Sequence, residues 1–195
     1  MCNASQSLLT LLKSKIKMTK SKFITLFIAL LTASQFTMAQ TTATELPSAF
    51  KTSLQQMFNE YLELKDALMQ GNPKAAAKEA VELNGISSKI STEGLSKDQI
   101  ATFNKQNAKI LHNTEHIRDN ATNYDHQCEH FDYLTDEFYA LLKSFKFNTS
   151  PVYYNYTKEG NEGNSAHWLT DKDEMKDPYF KGAIKEGDKR IEVLK

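Results

Sequence analysis

The sequence predicts a mainly α protein, an antiparallel up-down four-helix bundle followed by a small C-terminal β-ribbon and loop region. Three observations carry that expectation. Apolar residues recur at three- and four-residue steps from Phe50 to Phe145, and stop and start signals divide this pattern into four segments. The helical period ends after Phe147, where strand-type residues begin.

Phe50, Leu54, Met57, Tyr61, Leu64 and Leu68 lie on one stripe of a first helix. Gly71-Asn72-Pro73 stops it and starts a second, because Gly suits the position after a helix, Asn caps the next, and Pro fits a first turn. The second helix carries Ala76, Ala80, Leu83 and Ile90, and Gly85 weakens it by about 1 kcal/mol relative to Ala. Ser96 and Gln99 have the spacing of a capping box, with Leu95 and Ile100 placed as a hydrophobic staple, so a third helix starts there. Ile100, Phe103, Ile110 and Ile117 form its stripe, interrupted by Asn107 and Thr114. Asn120 to Asn123 reads as a turn, after which Phe131, Leu134, Phe138, Leu141 and Phe145 make the strongest stripe in the chain.

Beyond the bundle, assigned to residues 47–147, Val152-Tyr153-Tyr154-Asn155-Tyr156 has the composition of a strand. The polar run from Glu159 to Asn164 predicts a loop, and Ile191 to Leu194 a pairing strand. A two-stranded ribbon is marginal alone, so residues 148–195 are expected to pack on the bundle.

The 195 residues include 24 basic and 24 acidic side chains. Lys13, Lys15, Lys17, Lys20 and Lys22 precede an apolar run from Phe23 to Ala33 and the small residues that end at Ala39. This is the pattern of a signal peptide over residues 1–39, with cleavage after Ala39 and a start at either Met1 or Met18. The 11-residue apolar run falls short of the roughly 20 residues that span a bilayer, so no membrane insertion is expected after cleavage. Residues 40–46 would form a flexible N-terminus. Loss of the five lysines leaves 19 basic against 24 acidic groups, a net charge of −5, which argues against nucleic acid as a partner. Cys128 becomes the only thiol, so an intrachain disulfide is ruled out.

His112 and His116, then His126 and His130, form two pairs at i,i+4, and the pairs are mirror-placed about Ala121. A helical hairpin turning near that residue would bring them to matching heights, where they could hold Zn or Cu(II). Helix phase argues otherwise, putting His112, His116 and His126 on the solvent side and His130 on the flank. His126-Gln127-Cys128-Glu129-His130 also matches the His-x-x-Glu-His pattern of inverted zinc peptidases, although few residues remain to build a substrate site. No Walker loop, dinucleotide fingerprint or nucleophile elbow occurs in the sequence, and the acidic residues near Asp173 lack calcium-loop spacing. Tyr154, Tyr156, Trp168, Pro178 and Tyr179 make an aromatic-rich end that serves either as a ligand surface or as packing for the ribbon.

Trp168-Leu169-Thr170 and Asp177-Pro178-Tyr179-Phe180-Lys181-Gly182 resemble two motifs of a bacterial family, domain of unknown function 3347, with Asp in place of Asn and an added Lys. His130-Phe131 and Leu134-Thr135 are similar to its helix pattern. The resemblance implies helices followed by an aromatic strand, in a domain found alone after a signal peptide or at the end of periplasmic adaptor subunits of heavy-metal efflux systems. Many members carry Cys-Pro-Met after that strand and a late Cys-Gly, a soft-ligand set suited to Cu(I). Here Thr157-Lys158-Glu159 and Glu186-Gly187 stand at those positions, so Cu(I) is not expected to bind there.

What the resemblance implies for function is a periplasmic, non-enzymatic accessory or interaction domain linked to heavy-metal handling, partnered by an efflux or envelope protein. A His-based divalent metal-binding protein is the alternative, and a zinc-dependent hydrolase the remote one. No cofactor is required by the sequence, and a divalent metal is the one the histidines could hold.

Overall fold

A computed structural model describes residues 45–161 and 163–195. The expected signal peptide and most of the expected flexible N-terminus lie outside the described residues. Those residues are mainly helical, in the order α1 (Ser48–Met69), α2 (Pro73–Ser87), α3 (Lys97–Asp119) and α4 (Tyr124–Phe145). After them come β1 (Val152–Asn161), β2 (Asn164–Thr170), a short 3-10 turn (Pro178–Phe180) and β3 (Lys189–Leu194).

The helix ends form where the capping residues stand. Gly71 takes φ +64° and the Asn72 side chain accepts the Ala75 N–H at 3.1 Å, so α1 closes and α2 opens within three residues. Ser96 and Gln99 make the reciprocal capping box, at 3.2 and 2.8 Å. Gly85 does not end α2, which runs on to Ser87, and Ile90 falls beyond it. The polar breaks in the α3 stripe face polar groups of α2. Asn84 donates to Thr114 Oγ1 at 2.8 Å, while Ser87 bonds Asn107, so these buried polar groups find partners inside the seam.

Phe58, Tyr61, Phe131 and Phe138 stack or tilt against one another in the centre, each at most 1% exposed. The Tyr61 hydroxyl ties the C-terminal sheet to this core, beside Asp132 of α4, whose Oδ1 accepts the His167 N–H at 2.9 Å. Tyr61 Oη accepts the Leu169 N–H at 3.0 Å and donates to Thr135 Oγ1 at 2.8 Å, and Thr135 passes its own proton to the Phe131 carbonyl. Three elements thus share one buried chain of hydrogen bonds, with no donor left over.

The sheet differs from the ribbon that the sequence suggests. It has three antiparallel strands in the order β2-β1-β3, with Ile191 to Leu194 inside β3 as expected and β2 as an additional strand. The run from Glu159 to Asn164 is not a free loop: β1 continues to Asn161, and β2 begins at Asn164. Two local features permit this. Gly163 takes φ +84° at the hairpin tip, and the pairing slips between Thr157 and Asn161. At Gly160 a Cβ would lie 2.5 Å from the Thr157 methyl and 2.8 Å from Ala166, so only Gly fits the bulge.

Candidate metal centre

Two helix ends and the turn between them position the four histidines. α3 ends at Asp119, where Asn120 folds back and donates to the His116 carbonyl at 2.9 Å. Asn123 then caps α4 by accepting the His126 N–H at 3.3 Å. The last turns of α3 therefore lie beside the first turns of α4, and the mirror-related rings meet. His112 and His130 have centroids 6.2 Å apart, and His116 and His126 5.9 Å. His116 and His130 stack at 4.2 Å.

One ring nitrogen from each of His116, His126 and His130 lies within 4.8 Å of those of the other two. A tetrahedral zinc with Zn–N bonds of about 2.0–2.1 Å places its ligand nitrogens about 3.4 Å apart. Holding one ion would therefore require the rings to draw together by up to about 1.4 Å. His112 stands outside this trio on the exposed rim, its ring 4.5 Å from that of His116.

Burial grades the cluster from rim to floor. His112 is exposed, His116 and His126 are half-buried, and His130 is only 8% exposed. Helix phase assigned His130 to the flank, and its burial corrects that assignment: Asn113 on the core side of α3 draws the ring inward, with His130 Nδ1 3.0 Å from Asn113 Oδ1. Burial, and then the neighbouring His116 and His126, push the His130 pKa down to about 4, so the ring is neutral near pH 7 and retains a lone pair for a metal.

Glu129, the residue that a peptidase reading needs as base, has other contacts. Its Oε2 lies 3.4 Å from His126 Nδ1, and its Oε1 accepts the Tyr133 hydroxyl at 3.3 Å. It is placed to orient His126.

The aromatic end is mostly interior. Trp168 is 0% exposed, Tyr154 and Tyr179 are buried with Pro178, and only Tyr156 of the five is partly accessible. Tyr179 Oη donates to the His167 carbonyl at 2.5 Å, and its ring tilts against Phe131 at 5.9 Å, so these residues seat the sheet on the helices. Thr157-Lys158-Glu159 and Glu186-Gly187, distant in sequence, border one cavity of about 550 Å³ with Phe180 and Lys185. No thiol or thioether is among its lining residues. Cys128 is buried elsewhere, and burial pushes its thiol up to about 12, so it is inert near neutral pH.

Asn113 and His167 escaped the sequence reading. Asn113 was legible as a third polar break in the α3 stripe, between Ile110 and Ile117. His167, adjacent to Trp168, stacks on Tyr154 at 5.1 Å with Nδ1 3.7 Å from Asp132.

No curated protein and no solved structure shows significant similarity to the chain. The helical region does match a known family. That match covers α1 from Met57 through α4 and stops before β1, so it includes all four clustered histidines and not the Trp-Leu and Pro-Tyr-Phe motifs. Over residues 57–150 the sequence fits the model of the family described as Protein of unknown function (DUF3347), and this helical region belongs to that family.

Proposed function

We propose that this protein is an exported, non-enzymatic metal-handling domain that binds one divalent transition-metal ion through His116, His126 and His130, with His112 as a rim ligand. The carrying observation is the approach of three imidazole nitrogens to within 4.8 Å of one another. An all-imidazole set suits Zn²⁺ and Cu²⁺ and disfavours Mg²⁺ and Ca²⁺, which require oxygen ligands. The bound ion would join α3 to α4 across their short turn.

The surrounding helices are read as an up-down bundle, since each packs most extensively on its neighbours in sequence. Export rests on the basic and apolar run that ends at Ala39. An envelope or efflux protein is the partner this reading favours, by family association alone.

The test is titration of tag-free protein with zinc and copper(II) salts, with stoichiometry read by calorimetry. One equivalent bound by the wild type and none by His116→Ala/His130→Ala supports the reading. Equal uptake by both proteins would overturn it. Mass spectrometry of the exported form reads the leader, with Gln40 expected as first residue.

A further inference from the structure

The metal reading leaves open how His130 presents the correct nitrogen. Neutral imidazole carries a single N–H, and only the other nitrogen has a lone pair in the ring plane for a metal. At an exposed histidine the proton exchanges between the two positions, and the ring rotates. At His130 both freedoms are restricted. The ring is only 8% exposed, and its Nδ1 lies 3.0 Å from the side-chain oxygen of Asn113, itself 5% exposed.

We propose that Asn113 is the positioning residue of the metal site, accepting the Nδ1–H of His130 so that the ring's Nε2 lone pair is presented to the cluster. This inference rests on the metal reading above and deepens it by assigning the ligating atom. Asn113 shares the inner stripe of α3 with Ile110, Thr114 and Ile117, whereas His112 and His116 occupy the outer side. α3 therefore supplies ligands of its own and the orienting partner of the α4 ligand His130. The carbonyl oxygen is fixed before any ion arrives, which removes tautomer and rotamer freedom from the cost of binding. When an ion occupies Nε2 the Nδ1–H becomes more acidic and its bond to Asn113 strengthens. Glu129 has a weaker version of this role at His126, because its 3.4 Å contact is made between half-buried groups on one helix. His130 is accordingly the fixed ligand of the set, and the rings nearer the rim adjust to it.

The experiment compares wild type, Asn113→Leu and Asn113→Asp in the full chain. Leu keeps the volume and removes the acceptor; Asp keeps the acceptor and adds charge. Zinc affinity should fall about 10- to 100-fold in Asn113→Leu and match or exceed the wild type in Asn113→Asp. A purely packing role would leave zinc affinity unchanged in Asn113→Leu, which keeps the volume. Long-range imidazole ¹H–¹⁵N spectra of the metal-free wild type supply a second readout that requires no variant to fold, and His130 should carry its proton on Nδ1. A proton on Nε2 would overturn the inference, as would unchanged zinc affinity in Asn113→Leu beside a wild type that binds. Absence of zinc uptake by the wild type itself would defeat the metal reading, and this inference with it.

Discussion

The imidazoles of His116 and His130 stack across the α3–α4 seam with centroids 4.2 Å apart and planes 21° from parallel. Burial in this contact disfavours a charge on His130, whose ring is neutral near pH 7. A shared cation would give the whole cluster a common counter-ligand and relieve the crowding of four basic rings.

A bound ion should therefore stabilise the fold. Zinc at about 100 times its Kd adds about 2.7 kcal/mol when it binds only the native state. Urea denaturation with and without zinc measures this gain, which should vanish in His130→Ala.

Acid should weaken the metal-free protein through His130. Its pKa is about 4 in the fold and about 6.5 in the unfolded chain. The unfolded state therefore binds the extra proton first as pH falls. Stability present above pH 6.5 is lost as pH drops toward 4, by up to about 3 kcal/mol. Asp177 acts in the opposite direction, because burial raises its carboxyl to about 6 and stability falls as pH rises from about 4 to 6. Comparison of the wild-type and His130→Gln stability curves in chelator isolates the histidine contribution, which should appear as a flatter acid limb in the variant.

Phe138→Ala should cost about 3–5 kcal/mol. The ring is fully buried, 4.9 Å from Tyr61 and 6.0 Å from Phe58, so its removal leaves a cavity among large aromatic rings. Thermal or urea melting reads the loss.

Tyr61→Phe keeps the shape and removes the hydroxyl that links Leu169 and Thr135. One buried N–H then lacks an acceptor, at a cost of about 1–3 kcal/mol. Hydrogen exchange should quicken at the Leu169 amide and along β2 before it changes in α2.

The helices were legible because their signals are local. The Ser96–Gln99 box and the Gly71-Asn72-Pro73 stop each act within one or two turns, and the Phe131 to Phe145 stripe repeats every three or four residues. β2 was not legible, because its stability comes from pairing Trp168 with Asn155 and from the Tyr61 hydroxyl, 108 positions away from Leu169 in sequence. The histidine pairs and their mirror spacing were visible in the sequence, whereas the inward turn of His130 depends on Asn113, a residue on the neighbouring helix that periodicity alone treats as a defect.

X-ray absorption at the zinc edge of the loaded, tag-free protein tests the central claim most directly. The proposed site requires three or four imidazole nitrogens at about 2.0–2.1 Å from the ion and no sulfur. A shell containing sulfur at about 2.3 Å, or one made only of oxygen, would place the ion away from the α3–α4 histidines and contradict the account.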